Sequence, residues 1–515
     1  MKKIYILSTI LLFALGACKK DFIDLLPLDS LSPSTFFKTE AQLRQAVIAA
    51  YVPLRDLAIN DYFTSEMRSD NSHYQPIPSN RGTAFVHREN ISDWIDDPTN
   101  AYSNAVYFHC YNGISRANIV LGHIGDAATL SATAKADIEG QAKFLRAYNY
   151  FKLVRLFGGV PLHLTEVTKA EEAFLPRSTV EQVYMQIVSD ATDAVAKLLP
   201  PAKFPQSGQA TKGSATMLLA EIYMTQKKYT EAENLLNTLP AMGYALNTNY
   251  ADAFLTTNKN SKESLFEVQY LEGTAAGTAP SNFIYQFLPR VTSTILITGN
   301  ATANSGTGGW NIPSPDLISS YEAGDKRLDV SIGVAEGTVN TSDLMVVSAN
   351  KSIVGYTPAA GKVGIPYAKK YLHLPHVATN NSNDNWPIYR YADALLLLSE
   401  AQIEQGKTGP ALAGLNAVRV RAGLAASTEA NQANLRTIIQ HERRVELALE
   451  NHRWHDLVRT GTAISVMTAY GIKAKGWYTN LLPNAFTITT DKLLFPIPQS
   501  EREINPELTQ NPGYF

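Results

Sequence analysis

The segment GSATMLLAEIYMTQKKYTEAENLL, residues 213–236, contains the pattern that decides the fold. Its apolar and small residues recur three and four positions apart, which predicts amphipathic helices over residues 212–225 and 230–239. Small side chains let the two helices approach each other, and large ones fill the space between neighbouring helical pairs. The positions that carry this pattern are Leu219, Ala220, Tyr223, Ala232 and Leu236.

A second segment repeats the arrangement. It reads YADALLLLSEAQIEQGKTGPALAGLNAVRVRAG, residues 391–423, with Gly406 at the turn and Ala411 and Leu415 on the second helix. The first segment fits the tetratricopeptide spacing in part, since Thr216 replaces the initial tryptophan of that pattern and its closing proline is absent. The second segment is another such pair. Further helices are predicted over residues 101–122, 132–157 and 179–198.

The region between these pairs has a different composition. Residues 245–385 are rich in Gly, Asn, Thr and Ser and contain short β-like runs such as ESLFEVQYL. Long loops carry recognition more often than the elements they connect. The sequence therefore predicts a mainly α fold: a scaffold of tetratricopeptide-like helical pairs with a loop-rich, partly irregular C-terminal region.

The beginning of the chain has the parts of an export signal. Two lysines precede an apolar run of twelve residues, 4–15, and the small residues Gly16 and Ala17 lead to Cys18. The run is shorter than the ~20 residues that a membrane-spanning helix needs. Leu15 to Cys18 resembles the lipobox of bacterial lipoproteins, in which the cysteine receives the lipid. We predict a signal peptide over residues 1–17 and a lipidated tether over 18–32, with a plain secretory leader as the alternative.

Composition and charge narrow the class of protein further. The chain has 515 residues, with 45 basic and 47 acidic side chains; without Lys2 and Lys3 the count is 43 against 47, a net charge of −4. A nucleic-acid-binding surface would need a basic excess, so no nucleic acid is expected as a partner. The mature chain keeps one cysteine, Cys110, in an apolar helical pattern that indicates a core position.

The sequence gives no support for a catalytic or metal site. It lacks the nucleophile-elbow, phosphate-loop and HExxH patterns, and His441, His452 and His455 have no zinc spacing. Glu442 interrupts the apolar stripe of a predicted helix, which calls for an arginine partner, with Arg390, Arg419 and Arg421 as candidates. We predict no cofactor; calcium at the Asn- and Asp-rich stretch 380–385 stays open.

Over nearly the whole mature chain the sequence resembles the SusD/RagB family of outer-membrane nutrient-binding lipoproteins. Each matching segment is weak by itself, but eight occur in order. The segments are CKKDFIDLLP (18–27), KFLRAYNYFKLVRLFGGVPL (143–162), PRSTVEQVYMQIVSD (176–190), ATKGSATMLLAEIYM (210–224), YRYADALLLLSEA (389–401), LNAVRVRAGL (415–424), ERRVELALENHRWHDLVRTG (442–461) and LLFPIPQSEREINPELTQNPGY (493–514).

The resemblance implies a fold, a location and a role. It implies an N-terminal SusD-like helical region over residues 33–245 and a C-terminal SusD/RagB region over 246–515. The expected protein is a lipid-anchored, surface-exposed outer-membrane protein that captures oligosaccharides, or peptides in some members, and passes them to a TonB-dependent SusC-like porin. It would be a binder and not an enzyme.

The candidate ligand contacts follow from the resemblance by region only. Trp94 and Trp310 lie in polar, turn-rich segments where we expect exposed aromatic rings that stack on sugars. Asp70, Asn71 and Trp477 are weaker candidates. Two other functions remain open: a peptide-binding or protein-interaction scaffold, because helical-repeat surfaces bind peptides, and a secreted glycosidase.

Overall fold

The computed structural model describes residues 36–78 and 82–514 and confirms the mainly α-helical fold. The predicted signal peptide, the tether and Cys18 lie outside the described residues. Within the described part, no helix is both long enough and apolar enough to cross a membrane. The division at residues 245 and 246 stays a prediction.

The N-terminal half is built from helices whose ends follow local signals. The Thr39 hydroxyl accepts a hydrogen bond from the Gln42 amide and caps the first helix, and Gly158, at φ +75°, ends the long fifth one. These helices are α1 (Glu40–Tyr51), α2 (Pro53–Thr64), α3 (Thr83–Asp93), α4 (Ala101–His123), α5 (Ala132–Phe157), α6 (Val180–Lys197), α7 (Lys212–Thr225) and α8 (Tyr229–Leu236).

In the described residues, the C-terminal half contains one helical pair of 14-residue helices, two further helices of 15 residues, and six helices of seven residues or fewer. Gly406 forms the turn of that pair at φ +77°, as the sequence predicts. The helices are α9 (Phe283–Phe287), α10 (Ile295–Thr298), α11 (Pro315–Ser320), α12 (Arg327–Ser331), α13 (Tyr391–Glu404), α14 (Thr408–Arg421), α15 (Gln432–Glu446), α16 (Arg453–Arg459), α17 (Ala463–Trp477) and α18 (Gln499–Ile504).

The region predicted to be irregular contains more β structure than expected. Strand β4 pairs antiparallel with both β5 and β6, β2 pairs with β7, and β1 pairs with β3. Along β5, exposed side chains alternate with less exposed ones over most of residues 345–352. This two-residue period is typical of a strand, but the composition of the region does not indicate it. The strands are β1 (Ser72–His73), β2 (Ser264–Val268), β3 (Ile312–Pro313), β4 (Ile332–Val339), β5 (Met345–Ser352), β6 (Val363–Ala368) and β7 (Trp386–Arg390).

The two helical pairs pack against each other across the middle of the chain. Helix α13 contacts α8 as well as its own partner α14. Its residues Ala394, Leu397 and Ala401 belong to the large apolar core that includes α8, while other residues of α13 pack with α14 in a separate apolar cluster. Gly414 of α14 lies so close to α13 that a Cβ added to it would stand 2.6 Å from the Leu395 carbonyl oxygen. Small residues therefore set the distance between the helices, as the repeat pattern predicts.

Buried ion pairs hold the C-terminal helices in place. Glu442 of α15 accepts hydrogen bonds from Arg419 at 2.9 Å and from Arg327 at 2.6 Å. The prediction of an arginine partner is confirmed for Arg419, whereas Arg390 and Arg421 bind the next acidic residue on the helix, Glu446. Glu442 and its two arginine partners thus connect three helices, α12, α14 and α15.

Candidate functional site

Asp70 and Asn71 are enclosed by arginine side chains. Arg453 donates two hydrogen bonds to the Asp70 carboxylate, at 2.8 and 2.9 Å, and Arg444 lies 3.1 Å from it. Burial by itself would raise the pKa of Asp70, but the two arginines hold it well below its ordinary value. The Asn71 amide donates to Glu66 and accepts from Arg444. A ligand would reach either residue only by displacing these partners.

Trp94 is part of the core, so the prediction of an exposed ring is wrong. Its side chain is 1% exposed, packs edge-to-face on Trp454 at 5.1 Å and carries the Arg68 guanidinium over its face at 4.1 Å. Trp94 follows the last residue of α3 in a left-handed conformation, φ 66°, which turns the ring away from the polar loop around it. The polarity of neighbours in the sequence did not reveal this inward turn.

Trp310 is also buried, and its predicted exposure is likewise wrong. The ring is 2% exposed and lies between Phe85, stacked at 5.7 Å, and Phe63, edge-on at 5.8 Å. The Arg88 guanidinium lies 4.7 Å from the ring centroid, while the indole N–H has no hydrogen-bond partner within residues 36–78 and 82–514. Trp310 is therefore the centre of a mixed aromatic and cationic cluster and not a free platform.

Trp477 is the predicted contact that the structure leaves accessible. It is the last residue of α17, its side chain is 39% exposed, and Tyr478 follows it. The Tyr478 ring stacks on His73, with centroids 4.1 Å apart and planes inclined by 8°. This contact fixes the tyrosine against strand β1, and it places an ordered aromatic pair at the surface of the C-terminal half.

Tyr478 lines a groove of about 500 Å³, which we call the tyrosine–proline groove. The groove lies where β1 and β3, helix α11, and the sheet of β4 and β6 converge. Its walls are mainly apolar, and the Tyr356 hydroxyl donates to Glu336 at 3.1 Å. Residues lining it include Tyr74, Pro313, Ile353, Tyr356, Pro366 and Tyr478. Ring faces beside polar edges suit a sugar, whose CH faces stack while its hydroxyls form hydrogen bonds.

The sequence contains signals for two groove residues that are not among the predicted contacts. Tyr478 directly follows the candidate Trp477, and Tyr356 lies in the Gly- and Pro-containing turn GYTP, the same kind of context that singled out Trp310. Both tyrosines are half-buried in the structure, whereas the two favoured tryptophans are enclosed.

A second cavity, of about 580 Å³, lies between helices α1 and α2 and the loop at residues 207–209. Its polar groups are largely bonded to the protein: Arg55 Nε donates to the Gln269 carbonyl oxygen at 2.8 Å, and the Tyr51 hydroxyl donates to Gln141 at 3.1 Å. Among its lining residues Tyr51 alone contributes an aromatic ring. This cavity offers a sugar fewer stacking faces than the tyrosine–proline groove.

One buried cluster combines the residue types of a hydrolase. The Ser65 hydroxyl donates to Asp61 at 2.9 Å and lies 3.3 Å from Nε2 of His455, and Lys152 binds the same aspartate at 2.7 Å. Ser65 has no exposed surface, so a substrate has no approach to it. The cluster joins α2, α5 and α16 and serves to position them. Within the described residues, no group of three His, Cys, Asp or Glu side chains is placed to hold a metal ion.

The fold and the groove together define a class of protein: a mainly α-helical, tetratricopeptide-like scaffold with a ligand-sized groove in its irregular half. Comparison with protein families narrows this class. Residues 220–514 match the family described as the SusD family, and residues 21–224 match a family described as starch-binding and associating with the outer membrane. Because the first match covers more than half of the sequence, the chain belongs to the SusD/RagB family, as the resemblance predicted.

Full-length relatives agree with this assignment. A SusD-like protein from Formosa agariphila is 29% identical over 547 residues and covers 100% of both chains; another from that organism is 26% identical and covers 99% of both. A solved laminarin-binding SusD-like protein has a TM-score of 0.72 at 25% identity and covers 93% of this chain and all of its own. A SusD homolog from Bacteroides thetaiotaomicron shares the fold, with a TM-score of 0.75 at 21% identity and coverage of 94% of this chain and 98% of its own.

Proposed function

We propose that this protein is a lipid-anchored surface protein that captures oligosaccharides and passes them to a TonB-dependent, SusC-like outer-membrane porin. Family membership and the family description of starch binding and outer-membrane association support the proposal. The laminarin-binding name of a 25% identical relative supports an oligosaccharide as the ligand class. The handover to a porin rests on the family resemblance alone.

The observation that carries the capture role is the tyrosine–proline groove. Tyr478 and Tyr356 line it with half-buried rings. Trp477 lies outside the lining, but its exposed ring is next to Tyr478, with centroids 6.4 Å apart. Ring stacking and edge hydrogen bonds together give reversible binding of moderate strength, which suits a protein that must release its cargo. Of the residues singled out in the sequence, Trp477 is the one that we retain as a proposed direct contact.

We further propose that the captured glycan leaves unchanged. The Ser65, His455 and Asp61 cluster is enclosed, and the acidic residues of the α15 segment are engaged by arginines. A glycosidase would need two carboxyl groups facing a sugar at a separation of ~5 to 9 Å. Chromatography of the oligosaccharide after prolonged incubation with the protein tests this point, and any shortened product would favour the enzyme.

Calorimetric titration tests the capture role directly. The chain from residue 19 onward, produced without lipid, is titrated with a panel of plant, host and microbial oligosaccharides and with peptides. We expect saturable oligosaccharide binding that Tyr478→Ala or Trp477→Ala weakens about 5- to 10-fold, because each change removes one stacking face. Phe108→Ala is the matched control, since Phe108 is 57% exposed on α4. Binding to peptides alone would favour the interaction scaffold.

The lipid anchor is tested through Cys18. We expect Cys18→Ala to move the exported protein from the membrane fraction to the soluble fraction, because several acyl chains are needed for stable anchoring. Retention of the variant in the membrane fraction would contradict lipidation as the means of attachment.

A further inference from the structure

The walls of the tyrosine–proline groove carry no charge in the part of the chain that the structure describes. Aliphatic side chains and prolines form most of the lining, among them Ile312, Ile318, Ile353 and Pro366. A charged group in contact with these walls would lose hydration without gaining an ion pair. The part of a ligand that lies in the groove is therefore expected to be uncharged.

The polar side chains of the groove are mostly engaged within the protein. The Tyr74 hydroxyl donates to Asp93 at 2.9 Å and accepts from Asn480 at 2.8 Å. The Ser319 hydroxyl donates to a backbone carbonyl at 3.0 Å, and the Gln75 side-chain oxygen accepts a backbone N–H at 2.7 Å. A ligand hydroxyl that faces these side chains finds few groups left to bind.

The backbone of the walls also has little hydrogen-bonding capacity to spare. Pro313 of β3 and Pro366 of β6 have no N–H, and their strands are already paired with β1 and β4. In the second of these pairs, Pro366 lies opposite Val334 of β4. A hydroxyl buried on such a wall without a partner costs free energy, whereas a buried methyl group is stabilised.

Tyr356 is held in place as one wall of the groove. Its hydroxyl and the backbone N–H of Ala359 both donate to the Glu336 carboxylate at 3.1 Å. Its ring lies against Gly364, where an added Cβ would stand 2.4 Å from the ring carbon Cε1. The aromatic face is thus preorganised, which lowers the entropy that binding would cost.

We infer that the groove selects oligosaccharides that carry a neutral, methyl-bearing sugar, either a 6-deoxy sugar or an O-acetylated one. Each of these presents a methyl group where an unmodified hexose presents a hydroxyl. The methyl group packs against the isoleucines and prolines, while the other hydroxyls face solvent at the rim, where Pro315 and Ser319 are exposed. The inference rests on the proposed capture function and adds the chemical class of the ligand.

The test begins with an array of charged and neutral oligosaccharides, the neutral ones with and without 6-deoxy and O-acetyl groups, applied to the mature chain. The strongest methyl-bearing binder is then titrated beside a matched counterpart. Mild alkali removes acetyl esters, and a 6-hydroxy analogue replaces a 6-deoxy sugar, so the two sources of the methyl group are separated. We expect the counterpart to bind about 10- to 100-fold more weakly, because a hydroxyl then faces an apolar wall. Equal or tighter binding of the counterpart would overturn the inference.

Variants locate the effect in the groove. Ile353 lines the groove, whereas the next residue, Val354, is 59% exposed and lies outside the lining. We expect Ile353→Thr to weaken binding of the methyl-bearing form about 5- to 10-fold and to narrow its preference over the counterpart, because a hydroxyl enters the apolar wall. Val354→Thr is the matched control and should leave both affinities unchanged.

The ratio of the two affinities distinguishes a local effect from a general loss of structure. Circular dichroism establishes that the variant is folded; if Ile353→Thr does not fold, Ile318→Thr on α11 takes its place. Loss of affinity for both forms by the same factor would contradict the assignment of the methyl group to these walls.

Two further outcomes separate this inference from the function it rests on. Binding of unmodified or charged oligosaccharides alone would overturn the selection of a methyl-bearing sugar and leave the capture role intact. Binding of no oligosaccharide on the array would overturn both proposals.

Discussion

Arg390 and Glu450 form a fork-to-fork ion pair inside the protein, with Nε and Nη2 donating to the two carboxylate oxygens at 2.6 and 2.9 Å. The same carboxylate binds Lys370 at 2.6 Å. Arg390 is the last residue of β7, directly before α13. Glu450 follows α15, and Lys370 follows β6. One carboxylate therefore connects three separate segments of the C-terminal half.

We predict that Glu450→Gln lowers the free energy of unfolding by about 3–5 kcal/mol, because it leaves Lys370 and part of the Arg390 charge buried without compensation. Urea denaturation monitored by circular dichroism measures the change. Adding Lys370→Met to the variant should recover part of the loss, since the uncompensated charge disappears. At the surface pair with Glu404, Arg436→Gln should cost less than about 1 kcal/mol. Equal losses at the two sites would contradict the argument.

Two glycines of the same helix give a matched test of the close approach between α13 and α14. A Cβ at Gly414 would meet the Leu395 carbonyl oxygen and the Ser399 hydroxyl, both at 2.6 Å, whereas one at Gly409 meets nothing within 4 Å. We predict that Gly414→Ala lowers the free energy of unfolding by about 1–3 kcal/mol through overpacking. Gly409→Ala should raise it by up to about 1 kcal/mol. Chemical denaturation of both variants measures these changes. A Gly414→Ala variant as stable as the wild type would contradict the close approach of α13 and α14.

The helices could be predicted from the sequence because their signals are local. The sequence predicts the fifth helix over residues 132–157, and the structure has it over the same range, since Ser131 caps its beginning and Gly158 ends it. The helix over 212–225 was matched in the same way through the cap at Thr211. Capping residues and the 3.6-residue period depend only on neighbours along the chain.

The site could not be predicted to the same degree, because its residues meet across long stretches of sequence. Trp94 is buried by Trp454, 360 positions later, and Tyr478 meets strand β1 more than 400 positions away. A polar segment around a tryptophan gives no information about such partners. The resemblance to the family identified the scaffold, whereas the groove required the pairing of β1 with β3.

His455 gives the protein a pH dependence of defined sign. Burial, followed by the charges of Arg155 and Lys152, holds its pKa well below the ordinary 6.5. Below pH 6.5 the unfolded chain takes up a proton that the folded chain does not, so stability falls as the pH falls from 6.5 toward the folded pKa. This group contributes up to about 1.4 kcal/mol per pH unit in that window.

Denaturation of the wild type and of His455→Gln at pH 7.5 and pH 5.5 measures this contribution. Glutamine keeps a hydrogen-bonding group beside Ser65 but does not titrate, so the variant should lose about 1.4 kcal/mol less stability over this interval than the wild type. An identical loss in the two proteins would show that another group controls the pH response.

Trp94 and Trp477 should separate stability from binding. Trp94 fills the core between Trp454 and Arg68, so Trp94→Ala leaves a cavity and should lower the free energy of unfolding by about 3–5 kcal/mol. Trp477 is 39% exposed at the end of α17, so Trp477→Ala should cost less than about 1 kcal/mol while weakening oligosaccharide binding. Chemical denaturation measures the stability of both variants. Calorimetric titration measures their binding, at a temperature at which each variant is folded. If Trp94→Ala stays as stable as the wild type but loses affinity, the indole contacts ligand, and its enclosed position does not describe the binding-competent state.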